Sequence, residues 1–391
     1  MNPLVLATLI ASAMTQDTTA SPWDSLARFI EQCVAGKAFP GAVIAVGRHD
    51  TLLYLHAFGH LDYEHGRKVT TRTVYDLASL TKVVGLTTAM MQLVEAGKVG
   101  LDTPAVRYVP AFHDSTVTVR QLLTHSSGLP AWRPFWQHVH SREEMFALVD
   151  AEPLEQPPGA RMAYSDLGAM VMTQIVENVT GERLDRYLLI HLFRPLGMRD
   201  TRYLPPASWR SRIAPTEMDT VYRHRLVRGE VHDENAASMG GISGHAGLFS
   251  TAPDLARFAQ LMLRYGRTDA PTHGRTEAGT HGRTDARTHG GAGASIVDSA
   301  TVAIFTAVQN PALSSRALGW DTPSKGSSAG DDLSPHAFGH TGFTGTSIWI
   351  DPTKDLFVIL LTNRVHPTRD NDQILRVRPR VANLAAEAAR P

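Results

Sequence analysis

Tyr75-Asp-Leu-Ala-Ser79-Leu-Thr-Lys82 runs directly into Val83-Val-Gly-Leu-Thr-Thr-Ala-Met-Met-Gln-Leu-Val94, so a serine stands three residues ahead of a lysine at the mouth of an apolar segment. The segment is long enough for a buried helix, and on a helix positions i and i+3 share a face, which brings Lys82 beside Ser79. The helix start also offers unpaired backbone N–H groups and positive dipole where an oxyanion could form. These are the parts of an activated nucleophile. With 23 serines and six lysines in the chain, one Ser-x-x-Lys is a cheap coincidence, and the surrounding sequence has to decide its meaning.

The chain has 391 residues, which suits two lobes sharing a core. Its 43% hydrophobic and 19% charged residues are those of an ordinary globular protein. Thirty-eight basic residues balance 38 acidic ones, so no global field favours nucleic acid or an anionic membrane. Most of the positive charge is arginine, which reads as genome composition and not as a phosphate-binding surface. The single cysteine, Cys33, excludes an internal disulfide and sits with Leu26, Phe29 and Ile30 at helical spacing as an apolar filler. Met1 to Ala13 carries an apolar run too short to span a bilayer and ending in Ala-x-Ala. Residues 1–20 therefore resemble a secretory signal without its basic n-region, and the expectation is an exported, periplasmic or secreted protein.

Along the chain, Ser21-Pro-Trp-Asp24 reads as a capped helix start with proline in first position, the helix ending before Gly36. Gly41–Gly47, the turn Arg48-His-Asp50, and Thr51–Phe58 read as a hairpin whose first arm is apolar throughout and so covered on both faces. The helix after Ser79 is expected to reach Ala96. A short helix follows in the 116–130 segment, a capping box at Ser141-Arg-Glu-Glu144, and apolar helices at 166–178, 180–192 and 251–265. Phe343–Ile350 and Leu356–Thr362 form a second hairpin, and 371–390 a closing helix around Pro379. The expected fold is α+β, with one antiparallel sheet built from both chain ends (21–72 and 295–391) beside a mainly helical domain (73–265).

Gly266-Arg-Thr-Asp-Ala-Pro-Thr-His273 opens three copies of one octapeptide, continued at 274–281 and 282–289. The unit has no large apolar residue, so burial cannot offset the entropy of ordering it, and 266–294 reads as a solvated, disordered insert. His273, His281 and His289 are not read as a metal site.

No His-Glu-x-x-His motif, cysteine-rich zinc site or phosphate-binding Gly-x-x-x-x-Gly-Lys is present. Ser79 needs a proton acceptor, either Lys82 with a lowered pKa or a tyrosine held near two cations. Tyr164 is the outstanding tyrosine, just after Pro157-Pro-Gly159 and followed by Ser165 and Asp166 at a helix start. Gly339-His340-Thr341-Gly342-Phe343 heads a strand whose glycines would let a substrate backbone pair along the edge, with His340 donating to a carboxylate or to the tyrosine oxygen.

Ser-x-x-Lys, then a Tyr-x-Asn-like triplet, then Lys/His-Thr-Gly is the order found in the class C β-lactamase and serine D,D-peptidase superfamily, which this chain resembles over roughly residues 25 to 380. Gln121-Leu-Leu-Thr-His-Ser-Ser-Gly-Leu-Pro130, Pro195-Leu-Gly-Met198, Gly247-Leu-Phe-Ser-Thr251 and Asp254-Leu-Ala-Arg-Phe258 extend the likeness. The resemblance implies that Ser79 is acylated, that Lys82 is its proton partner and that Tyr164 is the general base or proton shuttle. It implies an oxyanion hole from the backbone N–H groups of Ser79 and Phe343, and substrate contacts from Asp166, His340, Thr341 and Gly342. No metal or other cofactor is implied, and the partner is a cell-wall peptide or an ester, not nucleic acid.

The chain departs from that pattern twice. His340 stands where the β-lactamases carry lysine, a form that resembles certain D,D-carboxypeptidases and esterases. Asp166 stands where asparagine is usual; an ionised aspartate cannot donate an amide N–H, and its charge would support Lys82 as an ammonium. The expected activity is that of a D-alanyl-D-alanine carboxypeptidase, with an esterase or amidase, a weak β-lactamase, and a non-catalytic penicillin-binding module as alternatives. Deleting residues 267–292 is expected to leave activity and melting temperature nearly unchanged; a large loss of either in a thermal melt or assay would show that the repeats pack on the body.

Overall fold

The computed structural model describes residues 21–64, 66–265 and 296–390; the N-terminal signal-like run and the octapeptide repeats lie outside them. A five-stranded antiparallel sheet forms the frame, in the spatial order Leu52–Gly59, Gly41–Gly47, Leu356–Thr362, Ser347–Asp351, Phe338–Thr341. The two central strands come from opposite ends of the chain, with Ile44 facing Leu360 and Ala42 facing Thr362.

Every residue of Gly41–Gly47 is buried, as its unbroken apolar run demands. Successive side chains alternate between faces. Ala42, Ile44 and Val46 meet Leu26 and Ile30 of the helix Asp24–Ala35 and Val381, Leu384 and Ala385 of the helix Ile374–Ala388. Val43 and Ala45 turn the other way, into a larger core with Ile348, Ile359, Phe258 and Met262. The helix Ala252–Tyr265 lies against the strands Gly41–Gly47, Ser347–Asp351 and Leu356–Thr362. The same core continues into the helices of the middle of the chain. The α+β expectation holds, with the five-stranded sheet between helical layers.

Several elements differ from the sequence reading. Ser21 closes a turn ahead of the first helix, its Oγ accepting from Trp23 N and its carbonyl from Asp24 N, and the helix starts at Asp24 with no side-chain cap. The segment expected as one helix over 180–192 breaks at Gly181, whose φ of 70° is left-handed, and resumes as Leu184–Leu188 with a wide π turn at Leu189–Phe193. Behind Ser79 the helix also opens into a π turn, Lys82–Thr87, before the regular Thr88–Glu95. At Ser141 half of the capping box forms: Ser141 Oγ accepts from Glu144 N, while Glu144 accepts from His140 N. Among the described residues no helix is long and apolar enough to cross a membrane.

The largest difference is at the second hairpin. Phe338–Thr341 is a strand of its own on the sheet edge, with His340 opposite Ile348 and Thr341 opposite Ser347. Gly342 to Thr346 make the turn, and Gly345 supplies a φ of 114° that only glycine adopts without strain. Outside the edge, Asp321 and Gly339 exchange backbone hydrogen bonds of 2.9 Å, which covers one end of the strand and leaves the Thr341 end toward a cleft. A Cβ on Gly342 would stand 2.1 Å from Thr346 Oγ1 and 2.3 Å from Leu77 O. Gly342→Ala should therefore lower the melting temperature by about 5 °C or more, whereas Gly66→Ala, with nothing within 4 Å, should leave it unchanged.

Candidate active site

Ser79 is delivered by a stitched turn. The two-residue strand Tyr75–Asp76 pairs with Phe249 and Ser250. Asp76 then caps its own loop: one carboxylate oxygen accepts from Ala78 N at 2.8 Å and the other from His232 N at 2.6 Å. Ala78 has a φ of 46°, a left-handed backbone that costs a non-glycine residue about 1 kcal/mol or more and turns the chain sharply into Ser79. Thr344 Oγ1 donates to Asp76 O and Thr346 Oγ1 to Leu77 O, so the hairpin carrying Phe343 is fastened to the serine loop. Among the described residues neither Ser79 N nor Phe343 N has a hydrogen-bond partner.

Lys82 is 3% exposed, one turn beyond Ser79. Its Nζ lies 3.0 Å from Ser79 Oγ, 2.9 Å from the carbonyl of His245 and 2.6 Å from Asp166 Oδ1. The last contact is a close ion pair whose angle falls short of a well-aligned hydrogen bond. Burial pulls the ammonium pKa down, but Asp166 and then Tyr164 outweigh it, and the net direction is upward. That direction leaves Lys82 an ammonium at rest. Asp166 is turned toward Lys82, at the foot of the helix Asp166–Thr180, and also lines the cleft.

Tyr164 is fixed from behind. Ser165 caps the helix through Gly168 N, donates to Pro130 O at 2.6 Å, and its own N–H reaches His125 Nδ1 at 3.1 Å. The tyrosine ring lies 4.5 Å from the His125 ring and 5.7 Å from that of His340, with Lys82 Nζ 5.0 Å and the Arg316 guanidinium 5.4 Å from its centroid. Two cations therefore flank the ring. Burial nevertheless pushes the phenol pKa up, only partly opposed by Lys82, so the hydroxyl is protonated; it is buried facing Lys82 and Ser79 without a well-aligned hydrogen bond to either.

His340 differs from expectation in its polarity. Its Nδ1 lies 2.8 Å from Thr341 O, and a carbonyl only accepts, so that nitrogen carries the proton. Burial, reinforced by Arg316 and Lys82, holds the imidazole well below the usual histidine range. Its buried Nε2 is consequently an acceptor and cannot donate to a carboxylate.

Two hollows meet at Ser79, Tyr164 and Phe343. One, of about 450 Å³, is walled by His340, Thr341 and Gly342 together with Arg316, Arg364 and Arg378. Arg316 Nη1, Arg378 Nε, His340 Nε2 and the Tyr164 hydroxyl are all buried there without a well-aligned hydrogen bond. Arg378 also holds the hairpin, donating to Gly342 O and Thr346 O, and burial lowers its pKa to about 9, which leaves it cationic at neutral pH. The other hollow, of about 280 Å³, is walled by Trp132, Asp166, His232, Asp233, Glu234 and Arg369. Behind it Glu217 is held at about 2, burial being overcome by His232 and Arg369. Phe343, 49% exposed, stands between the hollows, with the His232 ring on one side and Arg364 on the other.

The arginines were invisible to the sequence reading, which assigned them to background composition. They carry no motif; their one signal was that Arg316 precedes the His-Thr-Gly strand within the same C-terminal segment. His125 lay within a quoted family segment but had no role assigned. The expected site residues Ser79, Tyr164, Asp166, His340, Thr341, Gly342 and Phe343 line one cleft, and Lys82 is buried beside Ser79.

His125 and His340 are both buried, and for both burial is the main cause of a pKa well below 6.5, with Arg316 and Lys82 adding to it. The unfolded chain then binds protons that the folded protein refuses, so stability is complete above about pH 6.5 and is lost as pH falls below it. Thermal unfolding should show a loss of up to about 1.4 kcal/mol per histidine per pH unit below that point. His125→Gln should remove about half of the slope between roughly pH 6.5 and 5.

A family model described as Beta-lactamase matches residues 26–382. An Escherichia coli K12 protein described as "Putative D-alanyl-D-alanine carboxypeptidase" is 31% identical over 383 residues, covering 87% of this chain and 81% of its own length. An N-acetylmuramyl-L-alanine amidase of Bacillus subtilis is 31% identical over 398 residues, covering 91% and 84%. Among solved structures, a penicillin-binding protein homolog from Caulobacter crescentus has a TM-score of 0.71 over 94% of this chain and 98% of that one, at 20% identity, which shows the shared fold. The resemblance first carried by three short motifs extends over nearly the whole chain: the protein belongs to the beta-lactamase family and is a serine hydrolase.

Proposed function

We propose that the protein is an exported D-alanyl-D-alanine carboxypeptidase acting on cell-wall peptides through an acyl-enzyme on Ser79. The observation that carries this reading is the arginine-lined hollow. Arg316 Nη1 and Arg378 Nε are buried donors without partners, beside Thr341 and next to the nucleophile. Asp321 approaches Arg316 only at Nε, 3.8 Å away, and a buried donor left unsatisfied is costly; a peptide's terminal carboxylate supplies the missing acceptor. The scissile carbonyl of the last peptide bond then lies over Ser79, and the acyl part extends past Phe343 toward Trp132. Names of relatives that include a carboxypeptidase and a cell-wall amidase support the same substrate class.

In this reading Ser79 Oγ attacks the carbonyl carbon, and the unpartnered N–H groups of Ser79 and Phe343 take the developing oxyanion, each worth about 3 kcal/mol in the transition state. Tyr164 is a neutral phenol, so of the two roles that the family resemblance left open it takes that of shuttle, handing a proton to the departing amine. Lys82 remains an ammonium beside it, positioned to restore the tyrosine proton. Water then releases the acyl group.

The test is a panel of a D-Ala-D-Ala peptide, its C-terminal amide, a p-nitrophenyl ester and nitrocefin, run on the wild type, Ser79→Ala and Arg316→Ala. The free-acid peptide should be turned over about 10- to 100-fold faster than its amide, and Arg316→Ala should erase that preference. Ser79→Ala should abolish all turnover. Ester hydrolysis with the peptide untouched would replace this reading with an esterase, and rapid nitrocefin hydrolysis with a β-lactamase.

A further inference from the structure

One proton in this scheme lacks a destination. Ser79 loses its hydroxyl proton as Oγ attacks, yet Lys82 beside it is already an ammonium, hydrogen-bonded to Ser79 Oγ at 3.0 Å and His245 O at 2.9 Å and ion-paired with Asp166 Oδ1 at 2.6 Å. A peptide carbonyl does not hold a proton near neutral pH, and Oγ is the atom giving one up. The carboxylate remains, and it is the nearest of the three. His340 Nε2 is also an unoccupied acceptor, but Arg316, Lys82 and Arg378 all face it, and a proton there would add a further positive charge. His125 Nδ1 is engaged by Ser165 N, and Tyr164 already holds its proton.

We propose that Asp166 stores the serine proton: Lys82 passes one of its own protons to Asp166 Oδ1 and takes the Ser79 proton in its place. This step presupposes the Ser79 acyl-enzyme proposed above. The ammonium–carboxylate pair becomes amine and carboxylic acid only as Oγ attacks; at rest it stays charged, because Asp166 and Tyr164 outweigh the burial that opposes the ammonium. Rotation about Cε–Nζ turns the amine lone pair to Ser79. As the Oγ–C bond forms and the carbonyl π pair moves to oxygen, the serine proton moves to Nζ. Asp166 is then an acid and Lys82 again an ammonium, with one proton stored.

When the C–N bond breaks, Tyr164 protonates the departing nitrogen, Lys82 restores Tyr164, and Asp166 restores Lys82. The amine leaves with the one proton that Ser79 lost. In deacylation a water proton takes the same route to Asp166, and it returns to Oγ when the ester bond opens. An asparagine at this position would hold Lys82 in place and could store nothing.

The groups facing the pair are Tyr164, His125, His340, Arg316, Asp233 and the backbone of His245, and in all variants below they remain. Acylation of the full chain by a p-nitrophenyl ester, whose leaving group needs no proton, isolates this step from the role of Tyr164. The acylation rate would be followed from about pH 5 to 10 in the wild type, Asp166→Asn and Asp166→Glu, with the adduct on Ser79 located by mass spectrometry. Asp166→Asn should be at least about 100-fold slower at neutral pH, and its rate should climb about tenfold per pH unit at alkaline pH, where Lys82 must lose its proton to solvent. Asp166→Glu, which keeps a carboxylate, should retain the wild-type shape of the profile at a reduced rate. An Asp166→Asn profile within threefold of wild type and of the same shape would overturn the proposal, as would an Asp166→Glu profile that adopts the alkaline climb. Absence of any Ser79 adduct in the wild type would instead overturn the acyl-enzyme reading, and this proposal with it.

Discussion

The buried ammonium of Lys82 is the constraint on which the site depends. A cation removed from water is tolerated only when its donors are satisfied, and here the three acceptors come from three distant parts of the chain: the serine loop, the start of the helix Asp166–Thr180, and the backbone at His245. Satisfying one charge therefore brings three segments to within 3.0 Å of a single atom. His245 is itself held on both sides, by Ser243 Oγ at 2.7 Å and Asp233 at 2.8 Å, so its carbonyl has little freedom to leave. The lysine is thus a structural centre as well as a chemical one.

Around that centre the cleft is electrically divided. Unpaired guanidinium donors line one side, and carboxylates engaged by histidine and arginine line the other. Phe343 marks the division, its ring between an imidazole and a guanidinium and its backbone N–H beside the serine loop. A ligand with its charge at one end has a single favourable orientation in such a field. The bond presented to Ser79 is then chosen by where that end comes to rest.

Much of the molecule was legible in the sequence because the signals were local. The apolar run Gly41–Gly47 could only be a doubly covered strand, and it is. The Ser79–Lys82 spacing encodes one turn of helix, and the two side chains meet at 3.0 Å. What escaped were properties set by tertiary neighbours. No local pattern separates Arg316 or Arg378 from the other arginines, because their meaning lies in what fails to pair with them once folded. The polarity of His340 was misread for a similar reason: a carbonyl one residue away decides which nitrogen carries the proton, and strand geometry decides that the carbonyl is there. The separate edge strand Phe338–Thr341 was merged with its neighbour because the turn at Gly342–Thr346 is made by threonines and glycines that also suit a strand entry.

The pairing of Gly41–Gly47 with Leu356–Thr362 also bears on how the protein is made. The central ladder joins the first strand of the chain to the last, with Ala42 against Thr362 and Gly47 against Phe357. Neither strand can bury both faces until the other arrives, and the loop to be closed runs from Gly47 to Leu356. During synthesis the helical middle can collect its own apolar contacts, but the sheet has to wait for Leu356–Thr362 to emerge. A fold whose central ladder cannot close until Leu356–Thr362 emerges keeps the strand Gly41–Gly47 unpaired on that side for most of its synthesis.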